Sequence, residues 1–151
     1  MFNKKLAIVG ASGAVGRVFI ELLDEMYPGT KDLFLVASKR SAGRSMFCGK
    51  QEFIIQDIEE FDFSQVEIAF FSAGSETAEK YAPIAVSKGC TVIDNSSQFR
   101  TDSDKPLIVP EVNSKDLENF KHPGIIANPN CSTAQLVCLL YTSPSPRDSL
   151  S

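Results

Sequence analysis

A glycine-rich turn between a short apolar run and a segment of helical spacing constrains the fold of this chain most strongly. Gly10, Gly13 and Gly16 follow the apolar run Leu6–Val9 and open a predicted helix over 14–26. Glycine lets a backbone turn tightly and approach a pyrophosphate closely, and a helix N-terminus offers free N–H groups. The spacing is Gly-x-x-Gly-x-x-Gly rather than Gly-x-Gly-x-x-Gly, so the inference depends on the strand–turn–helix context. The turn predicts nucleotide binding; the alternative is a turn required only for close helix–strand packing.

Beyond this turn, apolar runs alternate with segments of helical spacing. A second helix is predicted over 76–87, and a small hairpin is predicted around Gly49. Further buried strands are predicted over 33–37, 66–71 and 91–93, with weaker ones over 107–109 and 124–127. This alternation predicts an α/β fold: a Rossmann-like, doubly wound, mostly parallel sheet with helices on both faces.

The composition is that of an ordinary globular protein and argues against several functions. Its 151 residues suffice for one domain with a core, and its net charge of −4 argues against a general nucleic-acid binder. The longest apolar runs, such as Ile68–Phe71, are too short to span a bilayer, and the run after Lys4 and Lys5 is too short for a signal peptide. Four cysteines without a Cys-x-x-Cys pair indicate reduced thiols, a cytoplasmic location and no metal site.

The residues after the second predicted strand indicate which dinucleotide the glycine turn would bind. NAD-selective sites usually place Asp or Glu there, where the carboxylate accepts hydrogen bonds from the ribose 2′-hydroxyl. Here the strand runs into Ser38-Lys39-Arg40-Ser41, with no acid. Arg40 can pair with a 2′-phosphate, and the hydroxyls of Ser38 and Ser41 can donate to it. The loop therefore favours NADP; the alternative is a solvated basic loop.

Cys131 lies in a sequence context that predicts a helix start. It follows a short apolar strand and the segment Asn128-Pro129-Asn130, and Asn130 is a favourable N-cap residue. Cys131 would then occupy the first helical turn, where the helix dipole favours a thiolate, the form that attacks carbonyl carbon. Taken alone, the pattern also fits a buried structural cysteine, the interpretation given to Cys48, Cys90 and Cys138.

The motifs GASGAVG, ASKRSAG, FFSAG, VIDNSSQFR, VPEVN and NPNCST follow one another in the chain. In this order they resemble the aspartate-semialdehyde dehydrogenase family, and the resemblance covers Lys4 to about Val137. Related acyl-phosphate reductases differ at the cysteine: N-acetyl-glutamyl-phosphate reductases place Gly beside it, and glyceraldehyde-phosphate dehydrogenases use Ser-Cys-Thr-Thr. Another acyl-phosphate reductase is nevertheless kept as an alternative, as is a non-catalytic NADP-binding or redox-sensing module.

The resemblance implies a chemistry and a set of site residues. In the family, the cysteine matching Cys131 attacks the aldehyde of aspartate semialdehyde, hydride passes to NADP, and phosphate cleaves the resulting thioester to aspartyl phosphate. The biosynthetic direction is the reverse and leads to lysine, threonine, methionine and diaminopimelate. The resemblance places Ser12, Gly13, Ala14 and Val15 along the pyrophosphate, Arg40 and Ser41 at the 2′-phosphate, Ser72, Ala73 and Gly74 beside the nicotinamide ribose, Arg100 on the substrate phosphate, and Asn130 beside the nucleophile.

The resemblance also implies parts that this sequence lacks. The family's general acid/base histidine, its carboxylate-binding arginine, an orienting glutamine and a second, dimer-forming domain all follow the cysteine. The only histidine, His122, sits in a predicted surface turn. We therefore expect residues 1–137 to form an NADP-binding domain and residues 138–151, which gain Ser and Pro, to be a disordered or foreign tail. This predicts a fragment with little turnover, whose complete parent is a homodimer or homotetramer.

Overall fold

The apolar runs of the sequence form the strands of a seven-stranded sheet in the computed structural model, which describes residues 3–144. In chain order the strands are β1 (Leu6–Val9), β2 (Leu33–Ala37), β3 (Ser45–Cys48), β4 (Gln51–Asp57), β5 (Ile68–Phe71), β6 (Thr91–Asp94) and β7 (Ile125–Ala127). The α-helices of this part of the chain are α1 (Ala14–Met26), α2 (Ser75–Ser87), α3 (Pro110–Asn113) and α4 (Cys131–Thr142).

The strand order changes direction at β1. The sheet runs β3-β4-β2-β1-β5-β6-β7, and every pairing is parallel except that of β3 with β4. Val9 is in register with Val36 of β2 on one side and with Phe71 of β5 on the other. A crevice forms at the carboxyl ends of the strands where the winding reverses, and ligands of doubly wound sheets bind there. The predicted hairpin is confirmed, with Gly49 in a left-handed conformation at its turn.

Alternate residues of β1 belong to two separate hydrophobic clusters. Ala7 and Val9 pack in the cluster that includes α2, whereas Leu6 and Ile8 pack in the cluster that includes α1. Because successive side chains of a strand point to opposite faces of a sheet, α1 and α2 cover opposite faces. The predicted fold, a mostly parallel sheet with helices on both faces, is confirmed.

Small side chains bring α2 close to the sheet. Ala78, Ala82 and Ala85 are its buried residues, with no more than 1% of their surface exposed. They pack in the same cluster as Phe63 and Phe71, whose rings stack with centroids 6.0 Å apart. The aromatic rings therefore fill the volume that larger helix side chains would otherwise occupy.

Two of the predicted strands differ from the structure. The strand predicted over 66–71 begins at Ile68, because residues 63–65 form a 3-10 turn capped by Asp62. The strand predicted over 107–109 is wrong: Leu107 forms an isolated bridge to Ala127, and the chain then enters α3. Pro110 is the reason, because its fixed backbone angle favours the first position of a helix and it has no N–H for a strand pairing.

The helix that begins at Cys131 runs past the predicted start of the tail. α4 continues past Val137 to Thr142, and its residues 139 and 140 are both Leu, which favours helix. It stops before Pro144, since the residue preceding a proline avoids helical backbone angles. The helix therefore extends into the predicted tail of residues 138–151. Residues 145–151 of that tail lie outside the described part of the chain.

Within residues 3–144, no helix has both the length and the apolar character needed to cross a membrane.

Replacing Ala82 with Leu is expected to lower the free energy of unfolding by about 1–3 kcal/mol, because the larger side chain must displace the packed interface between α2 and the sheet. Urea denaturation followed by circular dichroism measures the change. Glu79→Leu on the exposed side of the same helix is the matched control and should change stability by less than about 0.5 kcal/mol. An unchanged unfolding midpoint for Ala82→Leu would contradict this packing.

Candidate functional site at the carboxyl edge of the sheet

Two glycines of the turn after β1 are required by close backbone packing. Gly10 has a φ of +87°, and a Cβ added there would lie 2.6 Å from the carbonyl oxygen of Ser72. A Cβ at Gly16 would collide with the carbonyl oxygen of Gly10. These glycines therefore bring the turn against the residues after β5 and bring α1 against the turn. The packing interpretation applies to both of them, and it is compatible with nucleotide binding.

The N-terminus of α1 has no side-chain cap. Gly13 is the N-cap residue in an extended conformation, and no side chain accepts a hydrogen bond from the first turn. The first helical N–H groups lack partners within a helix and carry the positive end of its dipole. These donors belong to the residues that follow Gly13, whose own N–H donates to the carbonyl oxygen of Gly10, and they lie at the edge of the sheet where the cleft lies.

A cleft of about 310 Å³ lies at the switch point of the sheet. Its lining joins residues that follow β1, β2, β4 and β5: Val9, Gly10, Ser12, Gly13, Ala37, Ser38, Ile58, Ser72, Ala73 and Thr77. Within the described residues, the hydroxyl of Ser72 is the buried side-chain oxygen that has no hydrogen-bond partner. An unpartnered hydroxyl beside the uncapped helix end leaves polar groups free for a ligand.

Six of the residues predicted to bind the dinucleotide line this cleft, and the others do not. Ala14, Val15 and Gly16 continue into α1, and Gly74 is the exposed N-cap of α2. Arg40 is exposed beyond Ser38, and Ser41 is buried with its N–H donated to the carbonyl oxygen of Ser38 at 2.8 Å.

Four lining residues, Val9, Ala37, Ile58 and Thr77, were missed by sequence reasoning. Val9 and Ala37 end β1 and β2, and Ile58 directly follows β4. Thr77 lies in the first turn of α2. Position near the carboxyl end of a parallel strand was the only available signal, because these side chains carry no chemistry that distinguishes them.

A polar network joins the ends of β6 and β7. Asp94, the last residue of β6, is fully buried, and its carboxylate accepts hydrogen bonds from the backbone N–H and hydroxyl of Ser96 at 3.1 and 2.6 Å. Burial raises the pKa of the Asp94 carboxyl; the hydrogen bonds from Ser96 and the charge of Arg100 oppose that rise. The carboxylate is therefore engaged by Ser96, and Asp94 is not among the residues that line the cleft.

Arg100 is fixed by two backbone carbonyls. Its Nε donates to the carbonyl oxygen of Asn128 at 2.9 Å, and its Nη2 donates to that of Asn95 at 3.0 Å. A guanidinium has five N–H donors, so three are left for another ligand. This geometry suits a phosphate, the ligand that the family resemblance implies for Arg100.

Cys131 is the first residue of α4, as predicted. The side-chain oxygen of Asn130 caps the helix by accepting a hydrogen bond from the N–H of Ser132 at 2.9 Å. The sulfur of Cys131 lies 3.9 Å from the same oxygen and is exposed. Cys131 and Arg100 do not line the cleft, but they share its edge because β1, β5, β6 and β7 run parallel.

The thiols of the other three cysteines have raised pKa values. Burial raises the pKa of Cys90 to about 12, and burial together with the charge of Asp24 raises the pKa of Cys48. Partial desolvation and the nearby Glu111 carboxylate raise the pKa of Cys138. Each of these thiols is therefore held in its less nucleophilic, protonated form.

His122 lies at the opposite edge of the sheet. Its Nδ1 is 3.0 Å from the hydroxyl of Thr91, the first residue of β6, and its ring packs edge-to-face on Phe120. Cys131 follows the carboxyl end of β7, so the two side chains are separated by the length of the strands.

Comparison with known proteins places this chain in a family. The model of the semialdehyde dehydrogenase, NAD binding domain, matches residues 5–120. An aspartate-semialdehyde dehydrogenase of Shewanella violacea is 52% identical over 136 residues, which make up 89% of this chain and 40% of that protein. The chain thus spans about 40% of the length of such curated relatives.

Solved structures agree with this match. The crystal structure of aspartate semialdehyde dehydrogenase II complexed with ASA from Vibrio cholerae superposes with a TM-score of 0.88 at 48% identity, covering 93% of this chain and 46% of that one. Aspartate semialdehyde dehydrogenase with NADP from Candida albicans gives a TM-score of 0.77 at 30% identity, covering 92% and 46%. The chain belongs to the semialdehyde dehydrogenase family and carries its NAD-binding domain.

Proposed function

We propose that this chain binds NADP and supplies the nucleophile and the phosphate-binding arginine of an aspartate-semialdehyde dehydrogenase. In the biosynthetic direction the enzyme would convert L-aspartyl phosphate to L-aspartate 4-semialdehyde with release of phosphate. The observation that supports this most is the common edge shared by the cleft, the anchored Arg100 and the exposed Cys131. Strands lie about 4.8 Å apart, so these groups extend over roughly 14 Å from β1 to β7.

The cleft at the switch point fits a dinucleotide. A pyrophosphate would accept hydrogen bonds from the uncapped first turn of α1, and the free hydroxyl of Ser72 could donate to the adjoining ribose. Because Gly10 has no side chain, the backbone of the turn can lie close to both Ser72 and a ligand. When bound, the nicotinamide ring supplies the hydride acceptor or donor for the reaction.

The preference for NADP is supported by the loop after β2. Arg40 is exposed and has no ion pair or hydrogen bond among residues 3–144, so its guanidinium is available for a 2′-phosphate. Ser38 lines the adjoining cleft. The matched structure from Candida albicans is described as a complex with NADP.

Cys131 would act as the nucleophile. Its thiolate attacks the aldehyde carbon of aspartate semialdehyde to form a thiohemiacetal, which becomes a thioester once hydride has left. Asn130, beside the sulfur, would orient the substrate or its oxyanion. Arg100 would hold the phosphate that cleaves the thioester to aspartyl phosphate, with its three remaining donors facing the anion. In the biosynthetic direction these steps run in reverse.

The complete activity is proposed for a polypeptide that includes the remaining length of the relatives. We expect the 151-residue chain alone to turn over slowly, because its only histidine lies at the edge opposite Cys131. The parent enzyme would be a cytoplasmic homodimer or homotetramer serving lysine, threonine, methionine or diaminopimelate synthesis.

The cofactor proposal is tested by the affinities of the chain for NADPH and NADH. NADPH should bind more tightly, and Arg40→Ala should reduce the ratio of the two affinities by about 10- to 100-fold, the worth of a hydrogen bond to a charged group. Isothermal titration calorimetry measures both constants. Arg44→Ala removes the same charge farther along the loop and should leave the ratio within about twofold. Equal affinities in the unmodified chain would contradict the proposal.

The nucleophile proposal is tested by substitution in the full-length protein. Cys131→Ser should lower phosphate-dependent NADPH formation from aspartate semialdehyde by at least about 10³-fold, because the hydroxyl is a far weaker nucleophile. Cys138→Ser changes the same atom farther along α4 and should leave the rate within about twofold. Undiminished activity of Cys131→Ser would exclude the assigned role.

Selective alkylation of the folded chain gives an independent test. Iodoacetamide at pH 8 should modify Cys131 before Cys48 and Cys90, because only thiolates react and the raised pKa values of the buried pair keep both protonated. Peptide mass spectrometry after brief exposure measures the order. In urea all four cysteines should react at similar rates, and faster modification of Cys90 in the folded chain would be inconsistent with this structure.

A further inference from the structure

One side-chain hydrogen bond extends the pairing of β6 and β7 beyond the end of their strands. Asp94 is in register with Ala127, and the N–H of Asn128 donates to the carbonyl oxygen of Asp94 at 2.8 Å. Past this point, the side-chain Nδ2 of Asn128 donates to Oδ1 of Asn95 at 2.7 Å. The two amides therefore add a side-chain bond directly after the last backbone bond between these segments.

Arg100 closes this arrangement into a ring. The two carbonyl oxygens that accept from its guanidinium belong to the same residues, Asn95 and Asn128. The position of the guanidinium thus depends on the distance between the two asparagines, which their side-chain hydrogen bond spans. All three residues are half-buried, which shields these bonds from competing water.

The same ring fixes the start of the cysteine helix. Asn128 is followed by Pro129, which is buried, and by Asn130, the N-cap of α4. Proline restricts the backbone on both of its sides, so the segment from Asn128 to Cys131 has little freedom to adjust. A displacement of Asn128 would therefore change the distance between the guanidinium of Arg100 and the sulfur of Cys131.

We propose that Asn95 and Asn128 are positioning residues whose side-chain hydrogen bond sets the spacing between the phosphate held by Arg100 and the thioester on Cys131. This inference rests on the proposed function. It assigns the pair to the phosphate step, in which the oxygen of phosphate attacks the thioester carbon and the cysteine thiolate leaves. Thioester formation itself needs Cys131 and the semialdehyde but not the phosphate, so the two steps should respond differently.

The experiment uses the full-length protein with Asn95→Ala, Asn128→Ala and the double variant. Each single substitution should raise the KM for phosphate by about three- to tenfold, the worth of one hydrogen bond. The double variant should be no worse than the more affected single variant, because both substitutions remove the same bond. The rapid burst of NADPH formed before phosphate attack should keep its amplitude in all three, as should the affinity for NADPH.

Asn113→Ala is the matched control for a purely structural effect. Asn113 also uses its side-chain amide within the fold: Oδ1 accepts from the N–H of Val109, and Nδ2 donates to the carbonyl oxygen of Leu107. Its loss should lower the urea midpoint of unfolding and leave the KM for phosphate unchanged. This separates reduced stability from altered positioning.

Three results would overturn the inference: an unchanged KM for phosphate in the single variants, penalties that multiply in the double variant, or an equal rise in Asn113→Ala. Failure of the proposed function is a different observation. It would be an unsubstituted full-length protein that forms no NADPH from aspartate semialdehyde and phosphate.

Discussion

The parallel pairing of β1 with β2 on one side and with β5 on the other is the constraint on which the rest of this structure depends. Because Val9 is in register with both Val36 and Phe71, the chain leaves three neighbouring strands at one edge of the sheet. The chain then continues into α1 on one face of the sheet and into α2 on the other, and the cleft lies between the starts of these helices. The parallel strands β6 and β7 add Arg100 and Cys131 to the same edge.

The glycine turn shows how packing and ligand binding can depend on the same residues. Gly10 and Gly16 lack side chains because backbone atoms of Ser72 and of Gly10 itself occupy the space that a Cβ would need. That close approach leaves the Ser72 hydroxyl buried and unpartnered beside the uncapped start of α1. The polar groups proposed to bind the dinucleotide are therefore a consequence of tight packing, so the two interpretations of the glycines are not alternatives.

Local patterns predicted most of the fold where apolar runs were bounded by turns. The helix 14–26 and the strand 33–37 have the bounds that periodicity predicted. Prediction failed where a boundary depended on context. Ile108 and Val109 have β propensity, but Leu107 makes the isolated bridge of this run before Pro110, and α4 continues beyond Val137 because leucine favours helix. In the site, residue chemistry pointed to Cys131 and the family resemblance to Ser72, but neither could identify Ile58 or Thr77, whose contribution is their location.

Local sequence specifies which groups are available: a turn with glycines at fixed spacing, a loop without an acid after the second strand, and a cysteine following a capping asparagine. These features are local, so a few neighbouring residues specify them. Which of these groups meet depends on the tertiary fold. Asn95 and Asn128 are 33 residues apart, and their hydrogen bond exists because β6 and β7 pair in one register. His122 precedes β7 and contacts Thr91 at the start of β6, whereas Cys131 follows the carboxyl end of β7. The length of these strands therefore separates the two residues.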